Sequence, residues 1–460
     1  MAKGGKAERQ NDELRNKLKE KNQRLYEVMV ELEDEQGKNR KLLTQLNRDY
    51  ENSSISSSMK PGHKKIVNNR ERTGRKPGAQ PGHKGHSRKR HEPARVIEIP
   101  APEEYVNNNC YRPTGRTITK QVVNLKVSVL VDEYTTAEYI HIPTGVRVHA
   151  EFPDGVINDV NYGGGVKAFA FLLNNRCNVS IDKTRSFLSD LTDGALNISK
   201  GMINGLSREF SKKTKAEQDK AFSDILLEPV MNTDCTGARV DGNSCQVYVC
   251  ATPSIVLYFA REHKGHEGVV NTPVEYYMGS LVHDHDLTFY NYALKHQECL
   301  AHILRYLKAS MENEPELTWN GMMRKLIQEM IRYRNSLGSE EEINADTVDE
   351  FEAKYKEILG IAKEEYEYEP PSNYYKEGYN LYMRMEKYME SHLLFLHDKR
   401  VPSDNNLSER LLRVFKRKQK QVMSFRSFDS LDYLCRSMSI LALLHAQGEN
   451  IYKSVSDIFG

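Results

Sequence analysis

An aspartate set in the middle of an apolar, β-branched run is the feature that most restricts this chain. The block from residue 229 reads PVMNTDCTGARV, the turn DGN, then SCQVYVCATP and SIVLYFARE. Alternation and β-branched content make these three successive antiparallel strands, the first two joined by a tight turn. Asp234 falls inside the first. A carboxylate in such a strand is costly to bury unless it is paired or holds a cation, so the rest of the chain must supply one or the other. A helical stretch follows around residues 273–278, and then a short apolar strand, GSLVHD, ends on Asp284. Much later, PSDNNLSERLLRVFKRKQ opens a helix announced by Pro402 and Ser403. Glu409 lies in its first turns, with Asn405 one helical turn earlier on the same face.

Three strands, a helix, a fourth strand and a later helix follow the element order of a ribonuclease-H-like mixed α/β core. In that architecture one acid sits midway along the first strand, one ends the fourth, and one rides on the later helix. Asp234, Asp284 and Glu409 stand at those three places. Hard cations such as Mg²⁺ or Mn²⁺ prefer oxygen ligands, and two of them about 4 Å apart can act together on one phosphodiester. Two such ions are therefore the expected cofactors, with all three acids as ligands. Taken singly, each acid could equally be a solvated surface group. Asp241 belongs to a turn sequence, whereas Asp286 is a direct rival to Asp284, with His283 and His285 as neighbouring donors or ligands.

The remainder divides by composition. Residues 1–51 read as a coiled coil: Leu18, Leu25, Leu32, Asn39 and Leu46 recur every seven residues, with Leu14, Val28 and Leu42 on the companion seam. Lys21, Glu35, Asp49 and Gly37 interrupt it, so a single solvated helix is the competing reading. Residues 52–95 form a basic Gly/Pro/Arg arm or linker. Between Lys60 and Arg95 there are twelve Lys or Arg against two acids, Glu71 and Glu92. Such a local excess suits a polyanion, because each phosphate contact releases counterions; Arg75, Lys76, His83, Lys84, His86, Arg88, Lys89 and Arg90 are its candidate DNA contacts. A plain flexible tether is the alternative. Strict alternation at Val123, Leu125, Val127, Val129 and Val131 predicts a strand in a small β-rich unit over 96–160. Residues 161–228 read as a helical DNA-binding or scaffold domain, within which SIDKTRSFLSDL and SKGMINGLSREF have helix-turn-helix spacing. The core's first part then occupies 229–295, an almost wholly helical insertion 296–398, and the core's second part with the C-terminal helices 399–460.

These residues together resemble the large transposase of the insertion sequence 66 family, over essentially the whole chain. The resemblance rests on the leucine-periodic amino-terminal helix, GRKPGAQPGHKGHSR, NTDCTGARV, LVHDHDLTFYNY, ECLAHILRYLK and SDNNLSERLLR, in that order. It implies a DDE-type catalytic core with Asp234, Asp284 and Glu409 as its acids, and a helical insertion between the last two. Cys299 and His302 match a Cys-x-x-His at the start of that insertion in related transposases. A packing or hydrogen-bonding role is expected for the pair, with Asn405 and Arg410 as further supporting residues. Members commonly carry a zinc ribbon with two cysteine pairs after the basic arm. Here only Cys110 remains, so a ribbon that has lost its metal is expected, and zinc is not.

The overall expectation is an α+β multidomain transposase that cleaves and joins DNA at the ends of a bacterial insertion sequence. Its partners would be the element's terminal repeats and target DNA, a second or further copy of the chain, and companion proteins of the same element. A ribonuclease-H-like nuclease or resolvase, or a DNA-binding protein with a disused core, are the competing functions. Seven scattered cysteines with no C-x-x-C pair argue against a disulfide framework. The absence of a signal-like or membrane-spanning run points to the cytoplasm, on the nucleoid when DNA is bound.

Overall fold

The computed structural model describes residues 4–47, 82–84, 88–338, 340–367 and 377–460. Its first helix, α1, runs Gly4–Asn47, and a single short turn, α2, covers Glu103–Val106. Strands β1 (Glu138–His141) and β2 (Val146–His149) make a small hairpin. Four helices follow: α3 (Gly164–Asn175), α4 (Ile181–Leu191), α5 (Lys200–Lys213) and α6 (Lys215–Ile225). The sheet strands β3 (Val230–Val240), β4 (Asn243–Ala251) and β5 (Val256–Arg261) come next, then α7 (His266–Val269), α8 (Pro273–Tyr276), β6 (Ser280–His283) and β7 (Lys295–Glu298). A helical block holds α9 (Leu300–Asn313), α10 (Trp319–Ser336), α11 (Ala345–Tyr366), α12 (Glu377–Lys387) and α13 (Met389–His397). The chain closes through α14 (Asn406–Val422), α15 (Phe428–Ala446) and α16 (Ile451–Phe459). None of the described helices is long and apolar enough to cross a membrane.

One mixed sheet, ordered β5-β4-β3-β6-β7, organises the middle of the molecule. Asp241 and Gly242 both take positive φ at the tip of the β3–β4 hairpin, as a two-residue type I′ turn requires. Alternation along β4 divides two cores. Val247, Val249 and Ala251 face Leu412, Phe415, Leu431 and Leu434 of α14 and α15. Tyr248 and Cys250 face Ile225, Val274, Tyr277 and Phe289 on the other side. Trp319, Met323, Tyr355 and Phe395 centre the helical block, which also packs against Val282 and Leu300.

Helices α3 and α5 close over α15 and α16 around Phe171, Phe210, Ile440 and Phe459. Gly164 lies so close to the Ser456 carbonyl that a Cβ would collide with it, which is why α3 and α16 can touch backbone to backbone. The connection between α4 and α5 occupies residues 192–199. That is longer than the roughly three- to four-residue turn of a helix-turn-helix, and the buried faces of both helices go into the same core.

Sequence pattern and structure differ in detail at three places. Residues 123–131 form no strand, and the hairpin lies downstream at 138–149. Alternation makes a sheet only when a neighbouring strand completes the ladder. None pairs with this segment among the described residues, and Val123, Leu125 and Val131 stay exposed, with Val129 alone reaching a core. The span 296–398 is almost wholly helical, as expected, apart from the edge strand β7, Lys295–Glu298, that runs into its start. Its sequence, KHQE, lacks the apolar alternation that marks a strand; Gln297 and Glu298 are buried by polar partners instead. Third, the segment 96–160 has no buried core of its own. Arg75, Lys76 and His86 lie outside the described residues.

Candidate active site

Parallel pairing of β3 with β6 sets the site. The register runs Val230↔Ser280, Met231↔Leu281 and Asn232↔Val282, so continuing it by two residues brings Asp234 level with Asp284. Asp234 Oδ1 accepts the Cys235 backbone N–H at 2.7 Å. Burial, reinforced by the charges of Asp284 and Glu409, holds its pKa well above the usual carboxylate range. Asp284 goes the other way. Burial would push it up, but His302, Arg305 and Asn405 beside it outweigh that and leave it below the ordinary value.

The third acid arrives on α14, and Asn405 aims that helix. Asn is a favoured N-cap residue, yet here the side chain makes no bond to its own helix. It crosses to β3 instead: Oδ1 accepts from Asn232 Nδ2 at 2.9 Å and Nδ2 donates to the Thr233 carbonyl at 2.9 Å. Its backbone N–H donates to the Cys299 thiol at 3.2 Å. Asn405 is wholly buried, so the first turn of α14 is pinned beside Asp234. Glu409 then stands one turn in, where the helix dipole favours an anion.

Basic groups surround Glu409. Arg413 Nη2 is 2.6 Å from its Oε2, Arg305 Nη2 is 3.9 Å from Oε1, and His302 Nε2 is 4.0 Å from Oε1. Arg410, expected to support the site, is exposed; Arg413, also exposed, is the arginine that pairs with Glu409, one helical turn on from it. Arg305 and Arg413 were not singled out from the sequence, although their i+3 and i+4 spacings from His302 and Glu409 were a usable signal. His302 Nδ1 approaches Asp284 Oδ1 at 3.1 Å, without the alignment of a hydrogen bond, and both atoms lack a hydrogen-bond partner.

The rival residues are otherwise engaged. Asp286 pairs with Lys264 at 3.0 Å and accepts the Thr288 N–H at 3.0 Å. His283 is fully buried against His296 at 3.1 Å. Asp241 is at the hairpin tip. His285 Nδ1 meets Glu298 Oε2 at 3.0 Å in a buried network that sequence reading missed. Glu298, at the end of β7, also accepts from Tyr290 at 2.8 Å, contacts His392 at 3.3 Å and pairs with Arg384. That network ties the loop after Asp284 to α12 and α13. In the basic arm, His83, Lys84, Arg88 and Lys89 are exposed, while Arg90 Nη2 donates to the Thr119 carbonyl at 3.0 Å.

Three carboxylates brought to one place, one of them destabilised as an anion by burial and by the other two, make a donor set that suits hard divalent cations. The oxygen-only character of Asp234, Asp284 and Glu409 fits magnesium or manganese. No similarity to a curated protein was found. The model of the transposase IS66 family matches residues 168–431, a range that holds Asp234, Asp284, Cys299, His302, Asn405 and Glu409. Two strands, the helical block and the helix pinned by Asn405 all fall within that range, and by this match the chain belongs to the IS66 family of transposases.

Proposed function

We propose that this transposase uses a ribonuclease-H-like core of the DDE type, with Asp234, Asp284 and Glu409 as its acids, to cleave and rejoin DNA strands at the ends of an insertion sequence. The observation that carries the reading is the Asn405 clamp, which brings the Glu409 helix against the strand bearing Asp234 while the parallel register supplies Asp284. Two magnesium or manganese ions held by these carboxylates would supply Lewis acidity for attack on a phosphodiester.

The chain's own residues do the rest. Arg305 and Arg413 offset charge beside Glu409. Along α14, Arg410, Arg413, Arg417 and Lys420 are exposed at spacings of a single helix face, a stripe leading away from Glu409 along which a phosphate backbone can lie. The basic arm adds Arg88 and Lys89 as positioning contacts. Two copies would hold two DNA ends by pairing through α1, where Leu18, Leu25 and Leu32 are each more than half exposed in the single chain.

The test is magnesium-dependent nicking and joining of DNA carrying the element's ends. Asp234→Asn, Asp284→Asn and Glu409→Gln should each nearly abolish both steps while DNA binding persists. Asp286→Asn, tied up by Lys264, should retain far more activity. Four variants that cleave like the parent would sink the three-acid reading; cleavage without joining would make the protein a nuclease.

A further inference from the structure

The close approach of Asp284 Oδ1 and His302 Nδ1 has a third neighbour. Donor atoms of Asp284, Cys299 and His302 all lie within 4.8 Å of one another. Cys299 is wholly buried and His302 is 6% exposed, so water has little access to them. The buried carboxylate oxygen and ring nitrogen meet as an ion pair at 3.1 Å without hydrogen-bond alignment, and neither has a further hydrogen-bond partner, which leaves part of the bonding capacity of each unmet at a cost. A cation between them removes that cost.

We propose that Asp284, Cys299 and His302 form a binding site for a thiophilic divalent cation of the zinc class, distinct in chemistry from the all-carboxylate set but sharing Asp284 with it. A pair at i and i+3 is too few ligands for such an ion; the parallel register of β6 supplies the third. Thiolate, imidazole and carboxylate with one open position match a three-ligand zinc-type site; the Asp284 and His302 atoms already stand close to a tetrahedral separation, and the sulfur has to draw in by up to roughly 1 Å. Burial, with the charge of Asp284, pushes the Cys299 thiol up, so the ion itself has to displace the proton, while the Asn405 backbone N–H on the sulfur at 3.2 Å works in the ion's favour. On binding, the metal–sulfur bond forms as the thiol proton leaves to solvent, and no electron moves. The donors discriminate between metals: magnesium takes the carboxylates and neglects sulfur, whereas zinc, cobalt and cadmium take the sulfur first.

The probe is Co²⁺ titrated into the full chain carrying Cys110→Ser and Cys177→Ser, which remove the two exposed thiols. One equivalent should produce a thiolate-to-cobalt absorption with tetrahedral d–d bands, and zinc should bleach both. Cys299→Ser should lose the thiolate band. His302→Gln and Asp284→Asn should each weaken cobalt at least about tenfold, the lower end of what even outer-sphere partners contribute. Asp234→Asn should leave the spectrum intact. That variant separates this site from the DDE reading, because it removes cleavage and spares the cobalt bands. Cobalt binding by a protein that shows no magnesium-dependent cleavage overturns the DDE reading and supports this one. Absence of a thiolate band in the parent, or its survival in Cys299→Ser, overturns the zinc-class site.

Discussion

Removing the Asn405 side chain tests whether the site is assembled by that clamp. Asn405→Ala deletes the acceptor of Asn232 Nδ2 and the donor to the Thr233 carbonyl, both 2.9 Å bonds between buried groups. Each orphaned partner costs about 1–3 kcal/mol. Allowing some relaxation, the pair amounts to about 2–4 kcal/mol, a large part of the roughly 5–15 kcal/mol that holds a domain together. For a core of this size that corresponds to a fall in Tm of roughly 4–16 °C. Asn405→Asp keeps the acceptor but sets a carboxylate oxygen against the Thr233 carbonyl and adds charge beside Asp284. It should be worse than alanine without divalent cation and partly recovered with it. Asn406→Ala, at an exposed neighbour, should stay within about 0.5 kcal/mol of the parent. Differential scanning fluorimetry reads the stability, and nicking at a temperature where all variants are folded reads the site. Tilting α14 by about 1 Å should cost cleavage on the order of 100-fold. If Asn405→Ala melts with the parent and cleaves at the parent's rate, the clamp is not what places Glu409.

Other outcomes follow from the same geometry. Asp234 has a folded-state pKa raised by burial and by its acidic neighbours, so its contribution to stability is present below its unfolded pKa of about 4 and lost as pH rises through the raised value. Without divalent cation, Asp234→Asn should therefore melt above the parent at neutral pH, with the gap closing towards pH ~4; equal melting at neutral pH contradicts this. Replacing Arg88, Lys89 and Arg90 with alanine should lower the slope of log affinity against log salt by up to roughly 2–3, less if Arg90 stays on Thr119; an unchanged slope makes the arm a tether. A chain lacking residues 1–50 should sediment as a smaller species with its far-UV spectrum reduced only by the loss of α1, whereas an unaltered oligomer would move the self-association surface elsewhere.

Legibility in the sequence followed physical locality. The β3–β4–β5 strands and their DGN turn were readable because β-branched alternation and the αL preference of Asp-Gly are properties of a few adjacent residues. Strand β6 and the helices α9 to α13 were readable for the same reason. Strand β7 was not, since Gln297 and Glu298 are buried by partners up to 98 residues away rather than by apolar packing. The alternating valines at 123–131 misled because periodicity records what a strand would present and not whether a neighbour exists to receive it. At the site, the strand and helix positions of the acids came from element order, and the Asn405 bridge from α14 to β3 spans 172 residues that no local pattern encodes. Arg413 and not Arg410 pairs with Glu409 because the i,i+4 spacing sets it over the carboxylate, although both arginines are exposed.

The clamp also dictates when the carboxylates can meet during synthesis. Asp234 and Asp284 emerge on strands that neighbour each other in the sheet, but Asn405 and Glu409 leave the ribosome only after the whole helical block has been made, a delay of roughly 6–25 s at ordinary elongation rates. Helix α16 follows later still, and Phe459 completes the core that seats α3 and α5. On the proposed function, a nascent or truncated chain would carry the basic arm and two of the three acids without the third. If the proposed chemistry holds, chain order itself would set an interval between the first contact with DNA and the first possible break.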